Sequence, residues 1–373
     1  MNRPKSFTLI SITVLVMLLA VSVLAACAAP SPSPTPSPSP SPSPTASPTP
    51  SPSPAQEVYK VRFHVYYTKG SQTYQWMNEF FAQTLEELSN GRFEVEQYGA
   101  GEILSGGDFL TGTGSGMIEL CHDFGGYHTG DSNLEFIEMG MPGYICDEND
   151  WRFFSYAFGW NDWMQEKYFT PLNVYKLATT PLPSSPLMTT KPVNSIEDLR
   201  KLKVRCPGIP GMLMEQLGVS TVMVDFQECY TALASGVIDG MSGPTWDMYH
   251  DMNFDEVVKY GLLPYVIEGH ATRLIANMDF MDSLPEDLQA IVRVSAHFCA
   301  NRLYEEMGFY ATEGLKAMQE EMGVTITHIP EEDMAEWKAA QAGAIESLKA
   351  SDAITADACK LVEDYARARG YID

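Results

Sequence analysis

From about Glu57 to Asp373 the sequence predicts an α/β fold, large enough for one domain or for two lobes around a cleft. Three observations predict it. A strand–helix–strand pattern opens the segment, a second set of alternating elements begins near Leu172, and a very long helical pattern starts at Leu284-Pro285-Glu286. In the opening unit, Val58 to Tyr67 (VYKVRFHVYY) alternates and is rich in β-branched and aromatic residues, which reads as a strand. Tyr74, Met77, Phe81, Leu85 and Leu88 then form a helical stripe. Asn90-Gly91 ends it and Arg92 to Tyr98 is a second strand, so the start implies a parallel pair.

Farther along, Asn173 to Ala178 and Leu187 to Thr190 read as strands. Ser195-Ile196-Glu197-Asp198 resembles a capping box opening a short helix to Leu202, and Lys203 to Cys206 follows as a strand. Phe226 to Ser235 is helical. Pro285 suits a first helical turn, and the pattern after it runs to about Met322, roughly 55 Å at 1.5 Å per residue. Val324 to His328 is a late strand; Glu331 to Ala350 and Thr355 to Gly370 are terminal helices.

The N-terminus predicts export. Arg3 and Lys5 precede an apolar stretch from about Phe7 to Leu24, and Leu24-Ala25-Ala26-Cys27 resembles the bacterial lipobox. Residues 1–26 are therefore expected to be a lipoprotein signal peptide, with Cys27 the lipid-modified first residue of the mature chain. Residues 30–54 are almost wholly Ser and Pro, part of a linker over 27–56 that is expected to be an extended spacer of roughly 75 Å.

The formal net charge is −24, and removing Arg3 and Lys5 makes the remainder more negative still. That opposes nucleic acid as a partner, and an anionic ligand would need a local basic residue. No second apolar span of membrane length follows the first. Beside Cys27 stand Cys121, Cys146, Cys206, Cys229, Cys299 and Cys359, whose spacing matches no small disulfide scaffold; most are expected as buried thiols, with one or two bridges allowed.

No HExxH, GxSxG, CxxC, P-loop or EF-hand pattern is present, so no enzymatic activity is expected. Gly112 to Gly116 lacks a preceding strand and is expected in a closely packed helical or turn segment, and Cys121, His122, Asp123 and His128 match no zinc spacing. The segment Lys191 to Arg205 (KPVNSIEDLRKLKVR) is more specific, and resembles a block of the solute-binding proteins of TRAP (tripartite ATP-independent periplasmic) transporters. Gln227 to Gly240, Tyr98 to Leu104, Gly116 to Glu119 and Leu284 to Gln289 are similar to further blocks of that family, in family order across about residues 58–330.

The resemblance implies a two-lobed, type II-like periplasmic-binding-protein fold, with lobes joined by crossing strands and a long bridging helix. It places lobe I at about 57–177 and 270–300, and lobe II at about 178–269 plus the C-terminal segments. It also implies that Arg205 pairs with a ligand carboxylate, and a planar guanidinium suits that geometrically while keeping its charge when water is expelled. Tyr66, Tyr67, Phe124, Tyr127 and Phe226 are further cleft candidates. Ser184, Ser185 and Met188 sit where some members carry a second Arg, which disfavours a doubly anionic ligand. Met241 and Trp246 are expected to add apolar wall, suiting a monocarboxylate with an apolar or aromatic body. No cofactor is expected. The alternative is a bridging Ca²⁺: Glu268 falls where a calcium-using subgroup has an acidic ligand, but Ser242 removes another hard oxygen donor. The function so implied is an extracytoplasmic receptor for a small organic acid, lipid-anchored at the membrane and delivering its ligand to a TRAP permease. A ligand-binding sensor working with a signalling partner is the alternative.

Overall fold

The computed structural model describes residues 57–224 and 226–373, which form one unit. The expected signal peptide, Cys27 and the Ser/Pro linker lie outside the described residues. Strand β1 (Tyr59–Val65) leads into helix α1 over 72–88, and strand β2 (Phe93–Tyr98) returns parallel to β1 with Tyr59 opposite Phe93. The hydroxyl of Ser71 caps α1 by accepting the Tyr74 N–H at 3.2 Å. A π turn at Asn78–Ala82 interrupts the helix. Its extra residue rotates the apolar face, so Phe80 and Phe81 are both buried while Leu88, predicted on the stripe, is exposed.

Helix α2 (Phe109–Gly114) and strand β3 (Leu120–Asp123) follow, then short helices α3 (Leu134–Glu138), α4 (Glu148–Arg152) and α5 (Trp160–Met164). As expected, the glycine-rich stretch packs closely: a Cβ on Gly114 would stand 2.2 Å from the Leu172 carbonyl oxygen. Strand β4 (Val174–Leu182) closes this half and strand β5 (Ser185–Thr189) opens the next. Helix α6 (Ile196–Leu199) is capped by Ser195, which accepts the Asp198 N–H at 3.1 Å. It stops short of the predicted Leu202 because i→i+3 bonds from Lys201 and Leu202 tighten its end and turn the chain into strand β6 (Lys203–Arg205).

The remaining elements are helix α7 (Ile209–Gln216), strand β7 (Ser220–Thr221), helix α8 (Cys229–Ala234), strand β8 (Gly240–Met241) and helix α9 (Trp246–Asp251). Then come strands β9 (Tyr260–Ile267) and β10 (His270–Asn277), helix α10 (Met278–Ser283) and the long helix α11 (Glu286–Glu320). Strand β11 (Thr325–His328) and helices α12 (Met334–Lys349) and α13 (Ala353–Arg369) end the chain.

Two sheets result, β2-β1-β3-β10-β4 and β11-β9-β5-β8-β6-β7. The chain passes between them three times, directly from strand to strand at 183–184 and at 268–269, and again through helix α11 to β11. Strand β4 stays in the first sheet to Leu182, so the first crossing lies beyond the expected boundary at 177–178. The two direct crossings run side by side, with His270 opposite Leu182 and Ile267 opposite Ser185, and the Gly269 N–H donates to Ser184 Oγ at 3.0 Å. Gly269 has φ +66°, and a Cβ there would stand 2.7 Å from the Asp147 carbonyl.

Helix α11, 35 residues long, connects the halves as expected. Its first half buries Val292, Cys299 and Leu303 with Phe63, Phe81 and Leu274, and farther on Gly314 lies against the start of α9. One expectation needs correction. The C-terminal segments do not all stay with the second half: the Tyr365 hydroxyl of α13 donates to Asp150 Oδ1, within α4, at 2.7 Å. All six described cysteines are free thiols and no bridge forms among them.

Candidate ligand cleft

Parallel strands leave their C-terminal ends as ready sites for side chains, and the sequence loads those ends with aromatic and basic residues. Beyond β1, the rings of Tyr66 and Tyr67 lie 4.0 Å apart and the Tyr66 hydroxyl donates to that of Tyr67 at 2.6 Å. Beyond β3, Phe124 stacks on Tyr66 at 5.7 Å and Tyr127 stands edge-on to Phe124. Two glycines allow this: a Cβ on Gly106 would meet the Tyr127 ring at 2.6 Å, and one on Gly126 the Phe124 ring at 2.4 Å. Burial pushes both Tyr66 and Tyr67 well above the usual phenol range, so they stay protonated as donors.

Arg205 ends β6 in the second sheet. Its Nε donates to the Val224 carbonyl at 3.3 Å and its Nη1 to the Ser242 carbonyl at 3.0 Å; among the described residues no carboxylate lies within ion-pair distance. Gly243, at φ +132°, lets the chain pass the guanidinium, since a Cβ there would stand 3.1 Å from Nη1. Ser185 fixes that loop by accepting the Gly243 N–H at 3.1 Å and donating to the Pro244 carbonyl at 2.6 Å. The motif blocks also meet in space. Asp239 pairs with Lys191 Nζ at 2.7 Å and accepts the Lys203 N–H at 3.1 Å, which holds β6 in place.

The other candidates divide. Ser184 ties the crossings, as described, and Phe226 is half-buried against the core of the second sheet. Met188 and Met241, expected near the cleft surface, face each other across β5 and β8 and are fully buried with Tyr249 and Phe254. Trp246 is also core: it packs over Gly261 and its indole N–H donates to the Tyr265 hydroxyl at 3.2 Å. Glu268 lies in the second crossing and accepts the Gly143 N–H at 2.5 Å, and burial pushes its carboxyl up to about 7. Among the described residues no three His, Cys, Asp or Glu side chains gather to hold a metal ion.

Two features escaped the sequence reading. Asp247, in α9, has an Oδ1 without a partner among the described residues; burial raises its pKa, and its charge acts on Tyr67 of the opposite sheet. Behind Phe124 lies a buried ion network. Arg273 pairs with Asp123 at 2.7 Å, Glu135 at 2.6 Å and Glu138 at 3.0 Å; Lys176 pairs with Glu138, and His128 Nε2 meets Asp123 at 2.8 Å. Against the penalty of burial, Arg273 and His128 hold the Asp123 carboxyl well below the usual range. A Cβ on Gly125 would lie 2.5 Å from Glu135 Oε2, so the network seats the loop that carries Phe124 and Tyr127. Its members are far apart in sequence, and no local pattern announces them.

Two α/β halves joined by paired crossings and one long helix, with aromatic groups at one set of strand ends and, at the other, an Arg without a carboxylate partner among the described residues, define a two-lobed solute-binding protein. The chain belongs to the bacterial extracellular solute-binding protein family 7, whose model matches residues 64–352, and hence to the solute-binding proteins of TRAP transporters. These are receptors, not enzymes. It is similar to the monocarboxylate 2-oxoacid-binding periplasmic protein of Nostoc sp., 25% identical over 224 residues that span 58% of this chain and 60% of that one. The ectoine/5-hydroxyectoine-binding periplasmic protein of Ruegeria pomeroyi is 25% identical over 70% of this chain and 78% of its own. Among solved structures, the fold matches a TRAP periplasmic solute-binding protein from Colwellia psychrerythraea with bound calcium and pyruvate. There the TM-score is 0.76 at 22% identity, over 84% of this chain and 96% of that one.

Proposed function

We propose that this chain is an extracytoplasmic receptor that binds a small organic monocarboxylate between its lobes through Arg205 and delivers it to a TRAP-type permease. The observation that carries the reading is Arg205 itself. It stands at a strand end, held by two carbonyls, with no carboxylate partner among the described residues. A ligand carboxylate would supply that partner, and the aromatic cluster at 66, 67, 124 and 127 would take an apolar or aromatic body. The organic acids named for the Nostoc and Colwellia proteins support an acid as the ligand class.

Calcium remains the alternative to direct pairing, since the Colwellia protein holds it together with pyruvate. Glu268 is the acidic side chain nearest to that role, but its carboxylate engages Gly143. Lipid attachment at Cys27 completes the proposal and would keep the receptor beside its permease; mass spectrometry of the mature N-terminus, compared with a Cys27→Ser variant, tests it.

A thermal-shift screen of mono- and dicarboxylates, with and without Ca²⁺, tests the ligand class. A ligand at a hundredfold excess over its Kd stabilises by about 2.7 kcal/mol. Arg205→Ala is expected to abolish the shift. Full retention of binding by that variant removes Arg205 from the site, and turnover of any substrate overturns the receptor reading.

A further inference from the structure

A second recess lies outside the cleft. It is a crevice of about 480 Å³ between α4 with the π turn at Phe153–Ala157, strand β4, and α11. Arg152 enters it from α4, Tyr156 from the π turn, Thr179 and Pro181 from β4, and His297 and Asn301 from α11.

Arg152 shares an uncommon property with Arg205. Among the described arginines, only these two and Arg293 have no carboxylate within ion-pair distance. Its guanidinium is nonetheless positioned: Nη2 donates to Asn301 Oδ1 at 2.8 Å, and the plane lies 4.8 Å from the Tyr304 ring. Such stacking lowers the entropy lost when the fork binds a planar anion. The Tyr156 hydroxyl is fully engaged, donating to the Thr179 carbonyl and accepting its N–H, each at 2.9 Å. The ring therefore stands as a fixed wall, 5.3 Å from His297. Burial lowers the pKa of His297, which leaves Arg152 as the cation. The acid whose charge reaches Tyr156 is Glu138, already paired with Arg273 and Lys176.

We propose that this crevice is a second binding site, for a small aromatic monocarboxylate whose carboxylate pairs with Arg152 and whose ring lies against Tyr156 and His297. In a chain of net charge −24 an anion needs such a local cation, and the walls of Phe153, Pro181 and Ala300 suit a flat apolar body.

The test uses 4-fluorobenzoate as probe and the ¹⁹F linewidth with the full chain as readout. Arg205→Ala is expected to keep probe broadening. Adding Arg152→Met should weaken binding about tenfold or more, and Arg152→Lys by less. Neutral 4-fluorobenzamide should show little broadening. The proposal is overturned if Arg152→Met binds as tightly as its parent, or if Arg205→Ala shows no broadening. If Arg152→Met also lowers the melting midpoint, the decision passes to Asn301→Ala, where unchanged affinity overturns it. The Arg152 step is taken in both the native and the Arg205→Ala backgrounds. A probe held in the main cleft by groups other than Arg205 would ignore Arg152, so an error about Arg205 is distinguishable from an error here.

Discussion

At the scale of single residues, Glu268 gives the clearest consequence of burial. Its carboxyl is pushed from the usual 4.5 up to about 7 by desolvation, with one hydrogen bond from Gly143 acting the other way. Between those values the folded protein binds more protons at this group than the unfolded chain does, so the contribution of Glu268 to stability is highest below about 4.5 and falls as pH rises toward 7. Glu268→Gln removes that dependence. Its stability should exceed the native protein's at pH 8, by at most about 3 kcal/mol, and match it more closely at pH 5. Urea midpoints at the two pH values check this; a native-like slope in the variant would assign the pH dependence elsewhere. Arg273 is the opposite case, a charge whose burial is compensated by three carboxylates. Arg273→Met should cost about 3–5 kcal/mol, since three acids would lose a shared partner. A loss below 1 kcal/mol in chemical denaturation would mean that the acids simply take up protons.

Helix α11 separates two glycines of the same helix by what surrounds them. A Cβ on Gly308 would meet nothing within 4 Å, whereas one on Gly314 would stand 2.3 Å from the Asp247 backbone nitrogen. Gly308→Ala should therefore stabilise by up to about 1 kcal/mol through helix propensity alone. Gly314→Ala should destabilise by about 1–3 kcal/mol, because backbone must move. Equal effects on the melting midpoint would contradict this contact between α11 and α9. The helix itself was legible in the sequence, from Pro285 and the long apolar period, as were the β1–α1–β2 unit and the Ser195 cap. Strands β9 and β10 were not. The run from Tyr260 to Asn277 is buried on both faces over most of its length and so lacks alternation. Arg205 was nominated only because its neighbours form a recognisable block, and its role in the site rests on the proposal above. Met188, Met241 and Trp246 were misplaced for the converse reason: apolar type alone does not say whether a side chain faces a cleft or a core.

For the molecule as a whole, the largest buried cluster draws on both halves, joining Cys121 and Ile275 to Leu187, Val204 and Trp337. A core shared in this way predicts one cooperative unfolding transition. Calorimetry should give a single peak with equal calorimetric and van't Hoff enthalpies; two resolved peaks would show the halves to be independent. Beside that shared core, the paired crossings at 183–184 and 268–269 act as a strap hinge. A single connecting strand would leave the halves free to swivel. Two strands lying edge to edge and pinned by Ser184 and Gly269 bend across their width far more readily than they twist. Any relative motion of the halves is thereby steered toward one arc, across the width of the strap.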